Sequence, residues 1–94
     1  MKAVYAFQGN GLTPDLIERG IDINYFTDIP NATVAVRTLD LVSDPSFIAC
    51  LIPKHTEREI ADLKRKVYRA CIAHDVPLPS RCVIEARMLD VIVP

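Results

Sequence analysis

The feature that most constrains this chain is an amphipathic segment between Pro53 and Pro77. Thr56 and Glu59 stand three residues apart, which is the spacing of a capping box at a helix start. Apolar residues then recur every three or four positions until Pro77, which cannot continue a helix. This pattern predicts a helix over residues 57–74 with one apolar stripe. The stripe consists of Ile60, Leu63, Val67, Ala70, Cys71 and His74.

Four other segments have patterns that are typical of strands. In residues 2–8, successive side chains would point to opposite faces with a period of two, and the segment contains two aromatic residues. Residues 32–42 are rich in β-branched side chains. Residues 47–52 form a continuous apolar run, which favours a strand covered on both faces. Residues 82–93 are predicted to form the last strand.

The remaining local signals are a turn and a short helix. Asp44 and Pro45 occupy the favoured positions of a turn over residues 43–46, so the strands on either side are expected to pair as a hairpin. Thr13 can cap a helix, and Pro14 suits a first helical position, which predicts a short helix over residues 14–19.

The resulting order is strand, helix, strand, strand, helix, strand. Two strand–helix–strand units joined by a hairpin form the ferredoxin-like βαββαβ sandwich. The right-handed crossover rule leaves few alternatives. We therefore expect one α+β domain over residues 1–94, with a four-stranded antiparallel sheet and both helices on one face.

Composition narrows the function classes. The chain has 94 residues with a formal net charge of −1, and a dedicated nucleic-acid binder would show a basic excess. Its three cysteines, an odd number without a Cys-x-x-Cys pair, do not suggest a secreted disulfide scaffold. No leader or membrane span is recognisable in the sequence. We expect a cytoplasmic protein.

The glycine turn after the first predicted strand is a possible anion site, because backbone amides in such a turn can bind phosphate. Its candidate residues are Gly9, Asn10, Gly11 and Thr13. Neither the P-loop nor the dinucleotide-loop pattern is present here. Gln8 to Leu12 resemble the Gln-Gly-x-Gly-Phe-Arg loop of acylphosphatases, a ferredoxin-like family of similar length.

That resemblance covers five residues and implies a small phosphate-handling enzyme. The family's arginine would clamp the phosphate, but Thr13 occupies its position. Asn31 is a possible counterpart of the family's asparagine, which positions the attacking water, although its surroundings do not match the family pattern.

Metal and cysteine chemistry are weaker alternatives. Cys71 and His74 lie on one helix face, and Cys50, His55 and Cys82 could complete a zinc site. The alternative interpretation places Cys71 in the core and His74 at the helix end, and we favour it. Cys50, His55 and Asp75 have the residue types of a nucleophilic catalytic set, but their spacing in the sequence does not indicate that they come together. No catalytic residue, metal or cofactor is predicted.

RNA-recognition domains share the predicted topology and stack bases on aromatic side chains of the central strands. Tyr5 and Phe7 would lie on one central strand, but the other offers only Phe47 at its margin. The glycine-aromatic signature is missing, so we do not expect RNA binding of this type.

Two surfaces are predicted to contact a protein partner. One is the basic helix face, although a solvated face paired through Asp62 is the alternative. The other is an apolar edge of the last strand, which would invite pairing with a second copy of the chain and predicts a homodimer. The candidate contacts are Arg58, Arg65, Lys66 and Arg69 on the helix, and Leu89, Val91 and Val93 at the edge.

The expected function is therefore that of a non-enzymatic protein-interaction module, such as an inhibitor or regulator of a larger complex. Small proteins of this type are common among phage and mobile-element accessory proteins, including anti-CRISPR inhibitors; that is a property of the class. The alternatives are the acylphosphatase-like enzyme and a dimeric domain that senses a small molecule.

Overall fold

The computed structural model describes residues 29–51 and 55–94, and these ranges contain helices without any strand. The four helices are α1 (Ala32–Val42), α2 (Pro45–Leu51), α3 (Glu57–Ala73) and α4 (Ser80–Met88). The ferredoxin-like α+β prediction is therefore wrong, because the three segments assigned to its sheet here are helical. The predicted first strand (residues 2–8) and the short helix (residues 14–19) lie outside the described residues.

Helix α3 confirms the prediction for residues 57–74. The Thr56 amide donates to Glu59 Oε1 at 2.9 Å, and the Glu59 amide donates to Thr56 Oγ1 at 3.1 Å, so the capping box is complete. The Thr56 hydrogen bonds also lower the pKa of Glu59. The buried stripe comprises Ile60, Leu63, Val67, Tyr68 and Cys71.

Helix α1 replaces the strand predicted over residues 32–42. Its buried residues, Ala35, Thr38, Leu39 and Val42, recur at intervals of three and one, which is a helical period. Asn31 caps the helix, accepting from the Val34 amide at 3.0 Å. The Thr38 hydroxyl, which is buried, donates to the Val34 carbonyl at 2.7 Å and is thereby satisfied inside the core. Burial of this face outweighs the preference of its β-branched residues for strands.

Helix α2 replaces the strand predicted over residues 47–52. Asp44 Oδ1 accepts from the Ser46 amide at 2.9 Å, and Pro45 is the first helical residue. The Asp-Pro pair therefore starts a helix where the sequence predicted a hairpin turn. Phe47 and Leu51, four residues apart, are both buried. A short apolar run is compatible with either structure, and periodicity alone does not separate them.

Helix α4 replaces most of the strand predicted over residues 82–93. Pro79 precedes it, and Cys82 and Ala86, four residues apart, are its buried residues. Asp90 has φ 62°, a left-handed conformation that ends the helix and turns the chain. The Val91 amide then donates to the Ala86 carbonyl at 2.9 Å, and residues 91–94 continue without regular structure.

The core forms where α3 packs against α1 and α4. Ala35, Val67, Cys71 and Ala86 are completely buried, and the small residues among them let the helix backbones approach closely. Val91 is also buried in this cluster. None of the helices in the described ranges is long and apolar enough to cross a membrane.

Candidate interaction face and adjoining groove

Helix α4 exposes large apolar side chains on its outer side. Ile84 is 61% exposed and Met88 is 78% exposed. They are four residues apart, which places them on the same side of a helix, and the exposed Arg87 stands next to them. We call Ile84, Arg87 and Met88 the α4 face. Side chains of this size have no role in the core, because Cys82 and Ala86 already supply the buried side of the helix.

The inner side of α4 is tied to its neighbours by polar contacts. Cys82 Sγ lies 3.4 Å from Ser43 Oγ, which links α4 to the turn between α1 and α2. The Tyr68 hydroxyl donates to Glu85 Oε1, and Lys64 Nζ donates to Glu85 Oε2 at 3.0 Å. Both carboxylate oxygens of Glu85 are therefore engaged by α3, which fixes the rotation of α4 and keeps Ile84 and Met88 pointing away from the core.

This network changes the acidity of its members. Burial raises the pKa of Glu85, but the hydrogen bonds from Tyr68 and Lys64 and the charge of Lys64 outweigh it, so the pKa of this carboxyl is lowered. Burial and the neighbouring carboxylate raise the pKa of Tyr68 far above its ordinary value. At neutral pH the cluster is thus an ionised Glu85 held between a neutral phenol and an ammonium group.

An open groove of about 360 Å³ lies beside this network, between the α1–α2 turn, α3 and α4. Val42, Pro45, Ile48 and Ala49 form its apolar wall. The remaining described lining is polar or ionisable except for the buried Cys82 thiol, and it includes Ser43, Lys64, Tyr68, Arg81 and Glu85.

The predicted basic face of α3 is present in part. Arg58, Lys66 and Arg69 are exposed. Arg65 is engaged within the molecule, because its Nε donates to the Leu89 carbonyl at 2.9 Å and its Nη1 donates to Asp62 Oδ1. Arg65 therefore anchors the residues that follow α4. The assignment of the other three to a partner stays a prediction.

The predicted strand edge has no counterpart in the described residues. Leu89 ends α4, Val91 is only 4% exposed, and Val93 is half-buried. Because residues 82–93 do not form a strand, the argument for a homodimer through strand pairing no longer applies. Ile92, which the sequence analysis did not single out, is 89% exposed in the same segment.

The cysteine and histidine candidates do not assemble into a site. Cys71 is buried with its Sγ 3.7 Å from the Ala35 carbonyl oxygen, and burial together with the nearby Cys82 raises its pKa to about 11. His74 caps the C-terminal end of α3, with Nε2 3.1 Å from the Ile29 carbonyl oxygen. These positions confirm the interpretation of a core thiol and a helix-end imidazole. Within residues 29–51 and 55–94 no three potential ligands cluster to hold a metal ion.

Helix α3 itself separates the proposed nucleophilic set. His55 precedes the helix, with Nδ1 3.8 Å from Glu59 Oε2, whereas Asp75 follows its end. The 17-residue helix between them is about 25 Å long, so the two side chains cannot meet. Cys71 and His74 of the alternative zinc set lie at the far end of the same helix, which also separates them from His55. The side chain of Cys50 is outside the described part of the chain.

The candidate anion turn, with Gly9, Asn10, Gly11 and Thr13, also lies outside the described residues. Asn31, the possible counterpart of the acylphosphatase asparagine, is described, and its side-chain oxygen caps α1. The ferredoxin-like fold that the resemblance implies is not formed by the residues the structure describes.

Sequence reasoning missed the α4 face because residues 82–93 were assigned to a strand. Two signals were available. Pro77 and Pro79 precede Ser80, which is typical of a helix start, and Cys82 and Ala86 repeat at a spacing of four. With these, Ile84 and Met88 would have been placed on an outer helix surface.

No family model matches the chain, and no curated protein or solved structure matches it. The argument for function therefore rests on the described surfaces alone.

Proposed function

We propose that this chain is a non-enzymatic protein-interaction module that binds its partner through the α4 face. The observation that carries the proposal is the exposure of Ile84 and Met88, 61% and 78%, on one side of a helix. Exposed apolar side chains that cluster are a common mark of contact surfaces, whereas isolated ones are ordinary. Methionine suits such a surface because its flexible thioether adapts to the partner's shape.

The charges around the face indicate the chemistry of the partner. Arg87 lies within the face, and Arg81 lies one turn before Ile84 and is also exposed. The one acidic residue of α4, Glu85, is bound by Tyr68 and Lys64 and does not balance them. A partner surface with an apolar centre and acidic residues around it is complementary to this arrangement.

The way in which the protein would act follows from its size. A helix of nine residues presents a small contact area, so we expect the partner to enclose the face in a groove of its own. Blocking such a groove is how a small inhibitor or regulator of a larger complex would work. The predicted basic residues Arg58, Lys66 and Arg69 can add long-range attraction to an acidic partner without being buried in the contact.

A site-specific photo-crosslinker tests the proposal. We would place p-benzoylphenylalanine at Met88 and, as a matched control, at Val36, an exposed apolar position of α1 that is 43% accessible. After irradiation in lysate of the source or host cell, adducts would be identified by mass spectrometry. The expected result is one predominant protein adduct at position 88 that is absent at position 36.

A second measurement makes the result quantitative. Changing both Ile84 and Met88 to serine should weaken binding of the captured protein at least tenfold, since removal of central apolar contacts costs more than about 1 kcal/mol. Val36→Ser should leave the affinity unchanged. Equal crosslinking at the two positions, or none at position 88, would contradict the proposal. An adduct with a second copy of the chain would instead support the homodimer predicted from the sequence, through a helix and not through a strand edge.

A further inference from the structure

The groove beside Glu85 has the dimensions of a small-molecule site. Its volume of about 360 Å³ falls in the range of roughly 300–1,000 Å³ that is usual for ligand pockets. It combines an apolar wall with several polar groups on the facing side, which is the usual composition of such sites. The three residues of the α4 face do not line this groove, although Arg81, which does, stands near that face.

The polar side of the groove disfavours a cationic ligand. Glu85 is the one carboxylate in the described lining, and its two oxygens accept hydrogen bonds from Tyr68 and from Lys64. The Lys64 ammonium is matched by the same carboxylate at 3.0 Å, which leaves the charge of Arg81 in the lining unbalanced. A bound cation would therefore meet a net positive charge, so the lining favours ligands without positive charge.

Arg81 supplies the charge that remains. Its side chain lines the groove, it is exposed, and within residues 29–51 and 55–94 it makes no ion pair or hydrogen bond. A guanidinium group matches a carboxylate with two parallel hydrogen bonds, and it stays charged at every physiological pH. The apolar wall of Val42, Pro45 and Ile48 offers a surface for a hydrocarbon chain in the same groove.

We propose that the groove binds a small carboxylate that carries an apolar chain, with the carboxylate on Arg81 and the chain along Val42, Pro45 and Ile48. A purely apolar molecule would leave Arg81 unmatched, and a small hydrophilic anion would not use the wall. The inference does not depend on the α4 face, since a ligand can bind here whether or not a protein partner is found.

Octanoate, octanol and octylamine, which share a chain length and differ in charge, are the probes for this proposal. Each compound would be titrated into the nitrogen-15-labelled full chain, and binding would be followed through the backbone amide signals of the protein. Octanoate should give saturable shifts at residues 42–49 and 81–85 and should bind at least fivefold more tightly than octanol. Octylamine should give no saturable shifts. Equal binding of octanol, preferential binding of octylamine, or no saturable shift with octanoate would overturn the proposal.

Arg81→Gln should weaken octanoate binding at least fivefold, while Arg37→Gln, at an exposed arginine of α1 outside the groove lining, should leave it within twofold of the unaltered protein. An unchanged affinity in Arg81→Gln would also overturn the proposal. Ala49→Phe, at an exposed position of the apolar wall, should block the groove without disturbing the core. The amide spectrum of each variant shows directly that it is folded.

The carboxylate could belong to a free metabolite or to the terminus of a peptide chain. N-acetyl-leucine, which mimics a chain terminus, separates the two sources. Octanoate is expected to bind more tightly, because its longer chain can bury more apolar area against Val42, Pro45 and Ile48. Tighter binding of N-acetyl-leucine would overturn the assignment to a long apolar chain and assign the groove to a peptide terminus.

Discussion

Glu85 is the residue on which the orientation of α4 depends, because it joins α4 to two side chains of α3. Its side chain is 40% exposed, so solvent screening keeps the energy of the pair with Lys64 modest. The hydrogen bond from the buried Tyr68 is less screened, and it links the carboxylate directly to the core. The main effect of the network is therefore to set the orientation of α4, and its contribution to the free energy of unfolding is modest.

Replacement of Glu85 by glutamine should make stability less dependent on pH. The pKa of Glu85 is lower in the folded chain than its ordinary value, so the ionised form stabilises the fold above the unfolded pKa and loses this effect as the pH falls through the folded pKa. Urea denaturation should show the unaltered protein about 0.5–1 kcal/mol more stable than Glu85→Gln at neutral pH. The difference should close at strongly acid pH.

The control for this series is Asp40→Asn, at an exposed carboxyl of α1 that makes no hydrogen bond or ion pair with Lys64 or Tyr68. The free energy of unfolding of Asp40→Asn should change with pH in the same way as that of the unaltered protein. A difference between Glu85→Gln and the unaltered protein that is constant with pH would show that the network of Glu85, Tyr68 and Lys64 does not form.

Cys71 should resist alkylation while the chain is folded. Its thiol is completely buried and its pKa is raised to about 11, so little thiolate exists at mildly alkaline pH. A short pulse of iodoacetamide followed by peptide mapping should leave Cys71 unmodified in buffer and modify it fully in urea. Cys82, which is also buried, serves as an internal comparison on α4. Rapid modification of Cys71 in buffer would place it outside the core.

At the scale of elements, the sequence signals agree for α3 and conflict for the other described helices. Helix α3 carries a complete capping box, a buried apolar stripe of about three turns from Ile60 to Cys71, and a proline stop. Helices α1, α2 and α4 have seven to eleven residues and are rich in Val, Ile, Thr or Phe, for which local preference favours strands. Their helical state depends on burial against neighbouring helices, α1 for α2 and α3 for α1 and α4, and this burial outweighs the local preference.

The same reasoning explains what was missed in the candidate surfaces. The exposed cations of α3 were found because the helix was found, but the hydrogen bond from Arg65 to the Leu89 carbonyl was not foreseen because its acceptor is 24 residues away. The α4 face and the groove both require the rotation of α4, which the long-range contacts of Glu85 and Cys82 determine.

A substitution at an exposed position of α4 can show whether this segment is a helix or a strand, because its effect on stability depends mainly on the conformational preference of the new residue. Ile84→Ala should raise the free energy of unfolding by about 0.3 kcal/mol, because alanine is the better helix former and little apolar area is lost. In a strand the same change should lower stability, since isoleucine is favoured there. Ile92→Ala, at an exposed position without regular structure, should leave stability unchanged in the same urea titrations.

At the scale of the molecule, the described residues form a small helical assembly with two candidate binding surfaces, the α4 face and the groove. The α4 face is apolar and cationic and points outward, while the groove lies beside it and is lined by Arg81, Cys82 and Glu85 of the same helix. Because Arg81 also stands near the face, a carboxylate bound to Arg81 would change the charge beside the face.

Both proposals require that residues 32–42 and 80–88 are helical, and backbone carbon-13 chemical shifts of the full chain measure this directly. The account predicts downfield Cα and upfield Cβ secondary shifts across both segments, ending before Asp44 in the first and before Asp90 in the second. Secondary shifts of the opposite sign over either segment would restore a strand there. Such a result would contradict the helical core, and with it the α4 face and the groove.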